Sequence, residues 1–161
     1  MTRLLLNFFY AQPVGHAVEA LHYANGYRLG GAGVSVALNA ATPVELAGLC
    51  PWLEHAYAID HPFLEPASDP AALVHVPREW DWVVDDVRRV QDFQLDLFPG
   101  MRGYYEASDA HFAARERIVT GAPRPPYVRH APLRLELPPA NDDDDRPLIA
   151  VMPAGSSERA L

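Results

Sequence analysis

His16 stands just after Gln12-Pro13-Val14-Gly15, where an apolar run gives way to a helical pattern. Histidine changes protonation close to neutral pH, as a general base must. A second apolar run, Trp82-Val83-Val84, ends in Asp85 and Asp86. A carboxylate bonded to an imidazole orients the ring and stabilises the imidazolium formed when it takes a proton. One histidine and one aspartate, each at the mouth of a strand, are therefore the parts of a proton-abstracting pair. The plainer alternatives are a histidine that fills a loop rim and aspartates that end a strand or cap a helix. A third group is Ala154-Gly155-Ser156-Ser157, after the apolar run 147–152. Small residues let backbone N–H groups approach a phosphate, and the hydroxyls add donors. No lysine follows, which disfavours phosphoryl transfer of the P-loop type.

The elements that must position these groups alternate between strand and helix. Residues 3–10 form a near-continuous apolar run, as expected of a strand covered on both faces. Val14, Ala17, Val18, Leu21, Ala24 and Leu29 recur with the 3.6-residue period of a helix over 14–29. Gly30, Gly31 and Gly33 stop it, and a second strand covers 34–39. Thr42-Pro43-Val44-Glu45 reads as a helix start, with Thr42 as cap and Glu45 closing a capping box. That helix carries Leu46, Leu49 and Cys50 and ends before Pro51. A third strand is expected at 55–60, an irregular proline-rich stretch at 62–77 and a fourth strand at 80–86. Val90, Phe93, Leu97 and Phe98 suggest a helix ended by Pro99-Gly100, followed by another over 104–119.

This order predicts an α/β fold: a Rossmann-like parallel sheet with helices on both faces. In such sheets ligands bind outside the carboxyl ends of the strands, where His16, Asp85 and Asp86 are expected. The domain is expected to span 1–122, with a Pro-rich acidic linker over 123–146. The pattern restarts at 147–161 as the first strand and loop of a truncated second domain, which offers a surface for self-association.

The chain has 161 residues and a net charge of −8, so one ordinary domain is expected and a nucleic-acid partner is not. Asp142 to Asp145 supply four of the negative charges and read as solvated linker, since they lack the spacing and terminal Glu of a calcium loop. The seven histidines never fall at the i, i+3 or i+4 spacing of a helical zinc site, and no metal or other cofactor is expected. Cys50 is the single cysteine, which rules out an internal disulfide and fits a reducing, cytoplasmic setting. No apolar stretch approaches the ~20 residues of a membrane span. Gly30-Gly31-Ala32-Gly33 follows a helix and precedes a strand, the reverse of a dinucleotide-binding loop.

Pro13-Val14-Gly15-His16, with Leu21, Ala24, Leu29, Gly33 and Val36, resembles the UDP-sugar small-molecule glucosyltransferases. Val83-Val84-Asp85-Asp86 is similar to the strand that delivers their supporting aspartate, Asp86 being the closer match. Residues 39–60 and Ile149-Ala150-Val151-Met152-Pro153-Ala154-Gly155-Ser156 are similar to heptosyltransferase-like proteins. The resemblance implies the acceptor-side half of a bacterial-type GT-B glycosyltransferase, an inverting enzyme that transfers a sugar from a nucleotide sugar to a hydroxyl acceptor. His16 would deprotonate a small-molecule or glycan acceptor and Asp86 or Asp85 would orient it. Gly15 and Gln12 would shape the acceptor site, and Gly155, Ser156 and Ser157 would face the donor phosphates. The alternative is a catalytically incomplete Rossmann-like domain that acts as a binding or interaction module. By itself the 161-residue chain is expected to be inactive.

Overall fold

The computed structural model describes residues 1–10, 14–42, 44–62, 70–85, 99–113, 116–119 and 124–136. The first strand, β1 (Arg3–Phe8), is followed by α1 (Val14–Leu29), β2 (Gly33–Asn39), the single turn α2 (Glu45–Gly48) and β3 (His55–Ile59). A 3₁₀ turn (Pro70–Leu73), β4 (Trp82–Asp85), α3 (Pro99–His111) and β5 (Glu116–Val119) complete the described elements. All strand pairs are parallel, in the order β3-β2-β1-β4-β5. The chain moves outward from β1 to β3, then crosses back to place β4 on the other side of β1. The strand order therefore reverses between β1 and β4, the point at which open α/β sheets offer a crevice to a ligand.

Alternation along the central strands divides the core into two layers. Leu4, Leu6 and Phe8 join Val34, Val36, Leu38 and Val84 beneath Ala17, Ala20, Leu21, Ala24 and Tyr27 of α1. Leu5, Phe9, Ala37, Ile59 and Val83 face the other way, against Tyr104 and Ala107 of α3 and Leu73, Val76 and Trp80. The sheet is thus covered on both faces, as its near-continuous apolar strands require. Each fully buried Leu or Phe contributes roughly 1.5–3 kcal/mol.

The end of α1 follows from its glycines. Ala32 N–H donates to Tyr27 O at 3.1 Å and Gly31 N–H to Arg28 O at 2.9 Å, the paired bonds of a Schellman cap. Gly31 carries the left-handed backbone that this cap needs, with φ of 98°.

Three expectations about elements change. Thr42 does not cap α2; its hydroxyl donates back to Asn39 O at 2.6 Å, and no side chain caps the helix. Pro99-Gly100 opens a helix, because proline at a first helical position gives up an N–H that has no intrahelical acceptor. The helix expected over 104–119 stops at His111, where Ala113 N–H is taken by Arg78 O at 2.8 Å. Glu116–Val119 then adds β5 to the sheet, favoured by its β-branched Ile118 and Val119.

Residues 124–136 contain no helix or strand, but they are packed as a strap over α1. Val128 N–H donates to Gly26 O at 3.0 Å, Asn25 Nδ2 to Pro132 O at 3.2 Å and Glu136 N–H to Leu49 O at 2.8 Å. The Tyr127 ring lies 4.7 Å from that of Tyr27 and covers Gly26, while the Pro126 carbonyl covers Gly30. Any side chain at either glycine would displace the strap. The expected helix near 90–98, the rest of the linker from 137, and the expected strand and loop over 147–157 lie outside the described residues.

Candidate functional site

The carboxyl edge of the sheet gathers the candidate residues from three directions. β1 delivers Phe9 and Tyr10, and α1 begins four residues later with Val14. Gly15 is exposed, with open space where a Cβ would sit, and His16 is half-buried in the first turn of α1. The histidine expected at the first strand-to-helix loop is therefore at the rim. Gln12 and Asp86 lie outside the described residues, as do Gly155, Ser156 and Ser157.

Asp85 is in register with Asn7 of β1, across the point where the strand order reverses. Its carboxylate is only 6 % exposed, and it faces α3. Asn7 Nδ2 donates to Asp85 Oδ1 at 2.9 Å, and the Tyr104 hydroxyl lies 3.1 Å from the same oxygen. The Tyr104 O–H also lies 2.5 Å from the Asn7 carbonyl, the shorter and better acceptor. Ser108 Oγ is a further acceptor for Asn7 Nδ2 at 3.0 Å. Asn7, Tyr104 and Ser108 are all fully buried, and Asn7 Oδ1 has no hydrogen-bond partner. The two amide hydrogens of Asn7 thus serve an acceptor-rich cluster while its own oxygen receives nothing.

Asp85, one of the two expected orienters of His16, thus gives Oδ1 to Asn7 and Tyr104, while Asp86 lies outside the described residues. Asp85 lies on the α3 face, since Val83 two residues earlier packs there, while Val84 packs with α1. His16 starts α1 on the opposite face. What Asp85 does in the described structure is tie the end of β4 to β1 and α3.

Two rim residues escaped the sequence reading. Asn39, the last residue of β2, donates from Nδ2 to both Phe9 O and His61 O, each at 2.9 Å. It holds the exits of β1 and β3 together. His61 is 3 % exposed, its ring edge-on to Phe9 with centroids 5.2 Å apart, and its Nε2 donates to Gly100 O at 2.7 Å. That bond fixes the tautomer and joins β3's exit to the first turn of α3. Burial lowers the His61 pKa below the ordinary histidine value, against smaller opposing effects from the Gly100 carbonyl and from Asp60. The available signal was position: Asn39 and His61 each directly end or follow a strand on the rim where ligands bind.

Among the described residues no three His, Cys, Asp or Glu side chains converge as a metal site. No described helix is long and apolar enough to cross a membrane. Chemically, the rim offers the half-buried His16 imidazole at the start of α1 and, on the α3 face, a buried cluster of Asn7, Tyr104 and Asp85. No family model, no curated protein and no solved structure matches the chain.

Proposed function

We propose that this chain is the acceptor-side Rossmann-like domain of an inverting glycosyltransferase that needs no metal. His16 takes the proton of an acceptor hydroxyl as that oxygen attacks the anomeric carbon of a nucleotide sugar. The bond to the donor's diphosphate breaks, the nucleoside diphosphate leaves with the electron pair, and the configuration inverts. The observation that carries the reading is the position of His16, half-buried in the first turn of α1, at the carboxyl edge beside the β1–β4 reversal. Of the two aspartates, Asp86 is the orienter of the ring, because the Asp85 carboxylate is committed to the α3 face. Gln12 and Gly15 border the acceptor. Gly155, Ser156 and Ser157 meet the donor phosphates, at the opening of a donor domain.

The test is a His16→Ala substitution in a chain that carries the donor domain, followed by nucleotide release with a hydroxyl acceptor. Turnover falls by about 10²–10⁴-fold, the usual contribution of a general base. Circular dichroism stays at wild type, because a rim side chain contributes little core area. Unchanged turnover removes His16 from the mechanism.

A further inference from the structure

At the amino edge of the sheet, away from His16, a groove of about 800 Å³ separates the strap from the end of α1. That volume lies within the roughly 300–1,000 Å³ of small-molecule sites. Its wall holds a guanidinium fixed in advance. Arg28 Nε and Nη2 donate to Asn25 Oδ1 at 3.3 and 3.1 Å, and its Cζ sits 5.0 Å over the Trp52 ring. Asn25, 3 % exposed, is itself held by its bond to Pro132 O. A guanidinium has five N–H donors, so this arrangement leaves most of them available. Arg134 of the strap lines the same groove, and neither arginine pairs with a carboxylate among the described residues. In a chain of net charge −8, this groove brings together two arginines and one carboxylate, Glu136, among the described residues. Leu29 and Leu135 add apolar walls that are 48 % and 36 % exposed.

We infer that this groove binds a small organic anion. A carboxylate or phosphate head pairs with Arg28 and Arg134, and an apolar body covers Leu29 and Leu135. Guanidinium groups suit such heads because their donors match two oxygens at once. The inference does not depend on the glycosyltransferase reading, since the groove and His16 lie at opposite edges of the sheet.

The test is titration of the 161-residue chain with benzoate, phenyl phosphate and inorganic phosphate, followed by the NMR signals of the Arg28 Nε–H and the Trp52 indole. Phenyl phosphate or benzoate gives saturable shifts at both signals, and the tighter of the two identifies the head group. Arg134→Gln, an exposed change that spares the fold, weakens binding by about tenfold or more. Glu136→Gln tightens it. Shifts that grow linearly without saturating, matching an adventitious ion only, overturn the assignment. So does undiminished affinity in Arg134→Gln, and so does inorganic phosphate binding as tightly as phenyl phosphate.

Discussion

Asn7 Nδ2 and Asp85 Oδ1 are 2.9 Å apart, joining β1 to β4 through side chains where the strand order reverses. Backbone pairing alone would hold the two strands parallel. The amide, the carboxylate and the Tyr104 hydroxyl additionally fix α3 against the end of β4. Because these groups are buried, each has lost water and depends on the others.

Tyr104→Phe therefore leaves the Asn7 carbonyl without its hydroxyl donor. Folding stability falls by about 1–3 kcal/mol, the cost of stranding a buried polar group. Asp85→Ala takes one acceptor from the Asn7 amide, which keeps Ser108 Oγ and the Tyr104 hydroxyl, and costs less, about 0.5–1.5 kcal/mol. A double substitution costs less than the sum, since both members belong to one network. Urea unfolding measures all three. Strictly additive losses would mean that the hydroxyl and the carboxylate do not act through a common network.

The strap makes a separate demand on the helix it covers. Gly30 lies against the Pro126 carbonyl, a backbone group that cannot swing aside as a ring can. Gly30→Ala is expected to destabilise by about 1–3 kcal/mol through overpacking, outweighing any gain from lower backbone entropy. At Gly26 the obstacle is the Tyr127 ring, which can rotate, so Gly26→Ala costs less. Limited proteolysis separates a loosened strap from global unfolding. Cleavage within 124–136 should accelerate in Gly30→Ala while the sheet core stays protected. A strap as resistant as wild type would show that the carbonyl yields without loss.

Burial of His61 gives stability a direction with pH. Its folded pKa lies below the ordinary 6.5, so the unfolded chain binds a proton first as pH falls. Stability from this group is complete above about pH 6.5 and is lost as pH drops through the folded pKa. His61→Gln removes that dependence. The stability difference between wild type and variant should therefore be larger at pH 7.5 than at pH 5 in urea unfolding. A difference that stays constant, or grows at pH 5, contradicts the burial of a neutral ring.

Much of this frame is legible in the residues. The runs from Leu4 to Phe9 and from Val34 to Leu38 are apolar except at Asn7 and Ser35, and the 3.6-residue period from Val14 to Leu29 gives α1 its observed bounds. The parallel order then places His16 at the carboxyl rim. The facing of Asp85 was less legible, because one residue along a strand reverses the side chain. Its partner Tyr104 is 19 residues away and Asn7 is 78 residues away, so no local pattern pairs them. β5 was hidden because Tyr104, Ala107 and Ala110 continue a helical pattern toward it. The turn is decided by the tertiary bond from Ala113 to Arg78. The prolines of the strap suggest a linker, whereas Gly26 and Gly30 leave room for it against α1.

The proposed division of labour places the nucleotide on the donor side of the cleft. On that reading the 161-residue chain contributes only Gly155, Ser156 and Ser157 to the phosphates, and Asp142 to Asp145 precede them in sequence. Four carboxylates near a diphosphate repel it most strongly at low salt, where charges are least screened. The chain is thus expected to bind nucleotide sugars weakly or not at all, and any residual binding should strengthen as salt is raised. Isothermal titration with common nucleotide sugars, at low and at physiological ionic strength, measures both. Micromolar affinity in the 161-residue chain would place a donor site within these residues and would overturn the acceptor-side assignment.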